Sequence, residues 1–381
     1  MPAQTNASTL RMNQQSTQEP GLGRTLWEDV KKGDFFSDLR DETRDIRDFY
    51  ITQDKRDELM KMGRFKRWFV LTWWILKSMF YKLTPARRIL LVAGLILIVS
   101  ARVVTPGNGS DVDIQYEGAR LFLGLAGIIL VLLLELKDKL LAHSELQAGR
   151  AVQKAMNPER SPLVPGWSVW LFTRPANEVG GDLVDFMKLD GERFGITVGD
   201  VAGKGLGAAL LMVKIQATLR ALAPDYESLT SLARKVNEIL SRDGIPSRFA
   251  SLIFVHLSSA SGTIRYINAG HMPPLLLRNG GIIEMEKGEP ALGLAPGTTY
   301  TEHQLKLSAG ETLLLYSDGI IEAQNLQGEF FGTERFKALC RSLAGATPST
   351  VGERIIAEVE LFVGQARGSD DLSLAIIQRS P

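Results

Sequence analysis

A single cysteine, Cys340, stands in a chain of 381 residues. That scarcity excludes an internal disulfide framework and a cysteine-rich zinc site. A reducing compartment is the natural home for the bulk of the chain. Net charge is scarce too. Forty-four Lys+Arg against 43 Asp+Glu leave +1, so no global field points to nucleic acid. The stretch MPAQTNASTLRMNQQSTQEPG has no apolar core. It does not read as a cleavable signal peptide, and a disordered tail is expected over residues 1–23. GDVAGKGL is not a P-loop: Gly199 and Gly203 are too close, and Gly205 stands where Ser or Thr should follow Lys204. Lys204 is expected at the surface, opening a helix near Leu206. No Gly-x-Ser-x-Gly marks a serine hydrolase. Asp111-Val112-Asp113 is only superficially like an aspartyl nucleophile.

What is present is apolar and unevenly arranged, with 45% hydrophobic residues. The length suits one large domain plus extra segments, or two domains. Residues 24–88 form a charged and interfacial segment, expected on the cytoplasmic side, of which 24–66 is weakly amphipathic with no assignable chemistry. Within it, the aromatic-rich WFVLTWWILKSMFY (68–81) reads as an interfacial helix rather than a span, because Lys77 interrupts it. Two apolar runs follow, ILLVAGLILIVSARVV at 89–104 and LFLGLAGIILVLLLEL at 121–136. Each is slightly shorter than the ~20 residues that cross a bilayer core, and buried core helices would read similarly. Neither run has an amphipathic stripe, however, and the connection TPGNGSDVDIQYEG is turn-rich and acidic. Arg64, Lys66, Arg67, Lys77, Lys82, Arg87 and Arg88 precede the first run, while Lys137 and Lys139 follow the second. This positive-inside pattern predicts a transmembrane hairpin over 89–136, with spans at about 89–105 and 119–136 and both ends cytoplasmic. Arg102 and Arg120 would snorkel at the outer surface.

Residues 137–157 read as a helical linker ending before Pro158. Leu141, Ala148 and Ala155 recur every seven residues, a weak coiled-coil signal through which a homodimer could form. From residue 158 to 381 the texture changes to short strands and turns. Strands are expected at 167–172, 183–189, 193–198, 251–257, 263–267, 312–316 and 372–378, and helices at 206–222, 228–240, 334–343 and 350–363. Asp190-Gly191 is a hairpin turn. Tight turns between strands and helices arriving in consecutive pairs predict an α+β fold, a layered antiparallel β-sandwich flanked by helices.

Four stations stand out: Gly180-Gly181-Asp182, Gly199-Asp200-Val201, Ser317-Asp318-Gly319 and Ser369-Asp370-Asp371. Any one Asp-Gly pair is first a turn. Glycine also permits close backbone approach, and aspartate at a strand edge can aim its carboxylate across a sheet end. Several carboxylates converging there would repel one another unless a cation neutralised them. Oxygen ligands suit Mg²⁺ or Mn²⁺, and four carboxylates suggest two ions.

These stations lie in a longer series: VGGDLVDF, VGDVAGKGLGAALLM, INAGHMPPLLL, LLLYSDGIIEA, EFFGTERF and SDDLSLAII. The series, over about 158–379, resembles the metal-dependent protein phosphatases of protein phosphatase 2C type. The likeness is to their bacterial branch, typified by the stage II sporulation phosphatase and the stress-response phosphatases that act on anti-sigma factor antagonists. The resemblance implies that Asp182 and Asp200 bridge or bind two divalent cations, Mn²⁺ or Mg²⁺, with the Val201 carbonyl as a further ligand and Asp318 and Asp370 as the later metal-binding aspartates. Asp185 and Asp371 are nearby acids of less certain role. Asn268, His271 and Glu322 look architectural. Arg174 is a candidate for bidentate contact with phosphate. In two-metal sites the ions stand ~3.5–4 Å apart and can share a water of lowered pKa. The implied reaction is attack of a two-metal-activated hydroxide on a phosphoserine or phosphothreonine protein. Ala202 stands where the eukaryotic branch carries a histidine proposed as general acid.

The expected protein is therefore a membrane-anchored phosphatase of the inner cell membrane, its catalytic domain cytoplasmic, its partners a phosphoprotein and membrane lipid, with no nucleic acid. The rival reading is a catalytically inactive scaffold or sensor of the same fold. The order of parts also suggests that a membrane signal acts through 137–157 on the helix at 206–222.

Overall fold

The computed structural model describes residues 59, 62–101, 111–243, 248–259, 261–278, 280–366, 368 and 370–380. The expected tail at 1–23, much of the charged segment after it, Arg102 and Ser369 lie outside the described residues. The chain divides into two compact units, 1–137 and 138–381.

The first unit contains α1 (Arg64–Lys82), α2 (Pro85–Val99) and the first part of α3 (Asp111–Met156). Pro85 opens α2, where its missing N–H costs no helical bond. The Arg88 guanidinium donates to the carbonyls of Phe80, at 3.1 Å, and Tyr81. These are among the last carbonyls of α1, where the helix runs out of N–H partners; the Phe80 carbonyl also accepts from the Leu83 N–H at 3.3 Å. α2 and α3 run antiparallel. Arg87 pairs with Glu135, Gly94 meets Gly124, and Arg120 donates to Ser100 Oγ. A Cβ on Gly94 would stand 2.9 Å from the Gly124 carbonyl oxygen, so the backbones touch only because both residues lack side chains. Ile89, Leu95, Ile96, Phe122, Leu123 and Ile129 point outward, exposed. α2 stops at Val99 rather than continuing to 105, and α3 begins at Asp111, inside the expected turn-rich connection.

By length and composition, Gly118–Met156 and Leu206–Asp225 could each cross a membrane. The second is a core helix: Ala208, Leu211, Met212, Ile215 and Leu219 are buried within the folded domain.

The second unit holds two five-stranded sheets. Its strands are β1 (Trp167–Arg174), β2 (Leu183–Lys188), β3 (Arg193–Val201), β4 (Ala250–Ser258), β5 (Thr263–Ala269), β6 (Leu275–Arg278), β7 (Gly281–Glu284), β8 (His303–Lys306), β9 (Thr312–Tyr316) and β10 (Leu372–Arg379). One sheet is ordered β1-β10-β9-β6-β7 and the other β2-β3-β4-β5-β8, with antiparallel neighbours throughout. Val169, Leu171, Ile196, Val198, Ile253, Val255, Leu313 and Leu315 pack between the sheets. The helices α4 (Leu206–Leu222) and α5 (Leu229–Arg242) cover the second sheet. The first is covered by α6 (Thr333–Ser342) and α7 (Pro348–Val363). The result is four layers, helix pair, sheet, sheet, helix pair. A strand in such a stack is buried on both faces. In β9, Leu313 and Leu315 face the other sheet while Leu314 and Tyr316 face the helices, so an unbroken apolar run is the right sequence for it. The strands β6, β7 and β8 were not expected. They are four residues each, and β7 and β8 are the outermost strands of their sheets.

Candidate functional site

Strand register gathers the four acidic stations. Leu183 pairs with Gly199, which sets Asp182, just before β2, beside Asp200, near the end of β3. Arg174 pairs with Leu372 and Tyr316 with Leu374, which brings Asp318, after β9, to Asp370 and Asp371, before β10. Asp371 ties the two sheets together. Its Oδ1 accepts from Ala176 N at 2.7 Å, and its Oδ2 accepts from Gly181 N at 2.7 Å and Asp182 N at 3.3 Å. Glycine is required on both sides of this joint. A Cβ on Gly180 would lie 2.4 Å from Asp371 Oδ2, and one on Gly319 would lie 1.9 Å from the Asp371 carbonyl oxygen.

The electrostatics follow from crowding. Burial, then the neighbouring Asp200 carboxylate, raises Asp182 well above the usual carboxylate range. Burial and the carboxylates of Asp318, Asp370 and Asp371 push Asp200 up to about 7. Burial and Asp370 raise Asp318. Glu322 stands beside this cluster: its N–H donates to the Asp318 carbonyl at 2.8 Å, and burial, Asp318 and Asp370 raise its carboxyl. Lys204 is not merely a surface residue. Its ammonium pairs with Asp370 at 3.1 Å.

Does such a site fit divalent cations? Asp182 Oδ2 is buried without a hydrogen-bond partner. A buried acceptor left unpaired is costly, and a cation would satisfy it. The Val201 carbonyl oxygen lies 3.2 Å from where a Cβ on Gly181 would be, so it borders the same loop. The donors are all oxygens, as Mg²⁺ and Mn²⁺ prefer. Among the described residues no three acidic, histidine or cysteine side chains already close a cage around one point. The carboxylates are coupled through charge, and the chemistry of the set fits hard cations.

The other expected residues divide. Asp185, buried in β2, is held by two hydrogen bonds from Arg220, at 2.9 and 2.6 Å, and is structural. Asn268 exchanges hydrogen bonds with the His271 backbone at 3.2 and 2.8 Å. The His271 Nδ1 meets Ser251 Oγ at 2.9 Å, and burial lowers the ring to about 4, so it is neutral at physiological pH. Both are architectural. Arg174 pairs with Glu360 on the rim of a cleft of about 450 Å³ that Gly319, Ala323 and Asp370 also line. The two features missed in the sequence were the sheet-joining role of Asp371 and the reach of Lys204 to Asp370. The Asp370-Asp371 doublet was a signal for the first; nothing local signalled the second.

A sequence model of the family described as Stage II sporulation protein E (SpoIIE) matches residues 190–380, beginning just after Asp182 and the first strand of its hairpin. Protein IcfG of Synechocystis sp. is 30% identical over 267 residues, covering 62% of this chain and 42% of that protein. Phosphoserine phosphatase RsbU of Bacillus subtilis is 24% identical over 187 residues, covering 49% of this chain and 56% of that protein. The chain thus spans about half the length of the curated relatives it matches. Among solved structures, the SiaA-PP2C domain of Pseudomonas aeruginosa superposes with a TM-score of 0.54 at 18% identity, covering 63% of this chain and 98% of that domain. That likeness bears on the fold alone, and it agrees with the two helix-flanked antiparallel sheets. On its sequence match and its layered fold, the chain belongs to the SpoIIE family of protein phosphatase 2C-like domains.

Proposed function

We propose that this chain is a membrane-anchored, metal-dependent phosphatase acting on phosphoserine or phosphothreonine in a regulatory phosphoprotein. An anti-sigma factor antagonist is the substrate class we favour. The observation that carries the reading is the cluster of Asp182, Asp200, Asp318 and Asp370, in which Asp182 Oδ2 is buried and unpaired. Two divalent cations, Mn²⁺ or Mg²⁺, would supply a nucleophile at neutral pH and neutralise charge on the phosphoryl oxygens. Asp182 and Asp200 would hold them at the sheet edge, with the Val201 carbonyl, Asp318 and Asp370 completing the oxygen set. Lys204 balances Asp370 and limits repulsion at the open side of the cluster. Arg174 stands on the rim of the adjoining cleft, where exchange of Glu360 for a substrate phosphate would orient the phosphoryl group.

Anchoring is part of the proposal. The antiparallel pair α2 and α3, with apolar side chains outward and backbones in contact at Gly94 and Gly124, supports a membrane hairpin. The linker over 137–157 could pair two copies. The experiment is Mn²⁺-dependent hydrolysis of an aryl phosphate by the full chain in detergent, with Asp200→Asn as control. Equal inertness of both proteins with every metal and with a phosphoprotein substrate would replace the reading by that of an inactive scaffold.

A further inference from the structure

The last turns of α3 end against the loops that carry Asp182 and Asp200. Leu146, Arg150, Pro175, Val179 and Gly205 line one crevice, and Arg150 pairs with Glu178 at 3.1 Å. Met156, the final residue of α3, is tied to α4: its carbonyl accepts from Gln216 Nε2 at 3.1 Å, and Gln216 is buried. The central contact is Gln153, 7% exposed. Its Nε2 donates to the Gly180 carbonyl at 2.9 Å, and its Oε1 accepts from the Gly180 N–H at 3.1 Å. A primary amide is the neutral side chain that can donate and accept at one backbone residue in this way. The missing Cβ of Gly180 makes room for the Asp371 carboxylate, whose Oδ2 would lie 2.4 Å from it, while Gln153 takes the backbone groups of Gly180.

Segment 180–182 is therefore gripped from two sides. Asp371 holds the N–H groups of Gly181 and Asp182, and Gln153 holds both backbone groups of Gly180. Asp182 follows two glycines, the residues with the greatest backbone freedom, so without the grip its carboxylate would sample many positions. We infer that Gln153, on the helix leading into the domain, is a positioning residue for Asp182: it fixes the Gly180–Asp182 backbone and so sets the affinity of the acidic site for divalent cations. This rests on the proposed function for its catalytic consequence, but the positional claim stands on geometry alone. Partners one step removed from a metal ligand usually matter by ~10–100-fold in affinity or activity.

The test uses the full chain in detergent micelles and compares wild type with Gln153→Met, which keeps length but loses both hydrogen bonds, and Gln153→Glu, which keeps only the acceptor. Three readouts separate positioning from simple stability: amide hydrogen exchange at Gly180–Asp182 with α4 as internal reference, calorimetric affinity for Mn²⁺ alone, and kcat and KM for an aryl phosphate. Gln153→Met should exchange about tenfold faster at Gly180–Asp182 with α4 unchanged, and should bind Mn²⁺ ~10–100-fold more weakly with KM unaltered. Gln153→Glu should fall between, and carries the comparison if Gln153→Met does not fold. Arg150→Ala, which removes an exposed ion pair on the same helix, should move each readout by less than about twofold. Exchange within about twofold of wild type in both Gln153 variants would overturn the inference. A wild type that neither binds Mn²⁺ nor hydrolyses the ester would remove the proposed function instead, and the exchange rates would still decide the role of Gln153.

Discussion

Asp182 and Asp185 lie within one short segment at the start of β2, and both are buried. Their surroundings are opposite. Asp185 receives two hydrogen bonds from Arg220 and one from the Phe186 N–H. Asp182 keeps one oxygen with no partner and faces another carboxylate. Burying a charge requires compensation. Where the protein supplies it, as at Asp185, the residue joins α4 to the second sheet and the account is complete within the fold. At Asp182 burial and the Asp200 carboxylate outweigh what Ser373 and Ser317 offset, and the carboxyl is left raised well above its usual range with Oδ2 unpaired. The same contrast separates Asp371, whose oxygens accept from three backbone N–H groups, from Asp200, surrounded by like charge.

The largest effect expected from this contrast is on turnover. Asp200→Asn should lower Mn²⁺-dependent hydrolysis of an aryl phosphate by about 10²–10³-fold or more, the scale of losing a group that stabilises developing charge. Asp185→Asn should leave the rate per folded molecule within a few fold. Similar losses in both variants would erase the distinction.

Stability should respond the other way. Asp185→Ala leaves Arg220 without its partner, and chemical denaturation should show a loss of about 2 kcal/mol. That is less than for a fully buried pair, because Arg220 is half exposed. Asp200→Asn should instead stabilise the metal-free protein, by roughly 1–3 kcal/mol above pH 7. The sign follows from proton counting. Asp200 is raised to about 7 in the folded state, so between the ordinary carboxylate range and 7 the folded chain holds a proton that the unfolded chain has released. Stability of the metal-free wild type therefore falls as pH rises through that window, relative to Asp200→Asn, and the gap closes near pH 4. Saturating Mn²⁺ should restore the wild type at pH 8 and leave the variant unchanged. A gap that does not depend on pH would contradict the assignment of Asp200 as an uncompensated acid.

A smaller effect is expected at Arg174. Its exposed partner Glu360 can be exchanged, so Arg174→Ala should raise KM about tenfold with kcat little altered. A fall in kcat at constant KM would place Arg174 in the chemistry rather than in binding.

Much of this was legible in the sequence where local chemistry and tertiary environment agree. The run Leu313–Tyr316 is apolar because both faces of β9 are covered, and Leu206–Leu222 is an uninterrupted helical stretch after Gly205. The strands β7 and β8 were hidden because Gly281–Glu284 and His303–Lys306 are short, outermost and mostly solvated, without the apolar alternation that marks a half-buried strand. Asp182, Asp200, Asp318 and Asp370 were legible as candidates because each stands beside a strand end or a glycine. Their assembly was not, since it depends on the register of Leu183 with Gly199 and of Tyr316 with Leu374. Gln153 carried no signal at all. A glutamine in a polar helix is ordinary until Gly180 is brought against it.

The most direct test of the central claim is a calorimetric titration of the metal-free full chain with Mn²⁺ at pH 7, for wild type and for Asp182→Asn. Uncompensated carboxylates predict about two ions bound per chain with release of protons from the acidic cluster, and a loss of at least one ion in the variant. A wild type that binds no Mn²⁺, or a variant whose titration superimposes on it, would contradict the account.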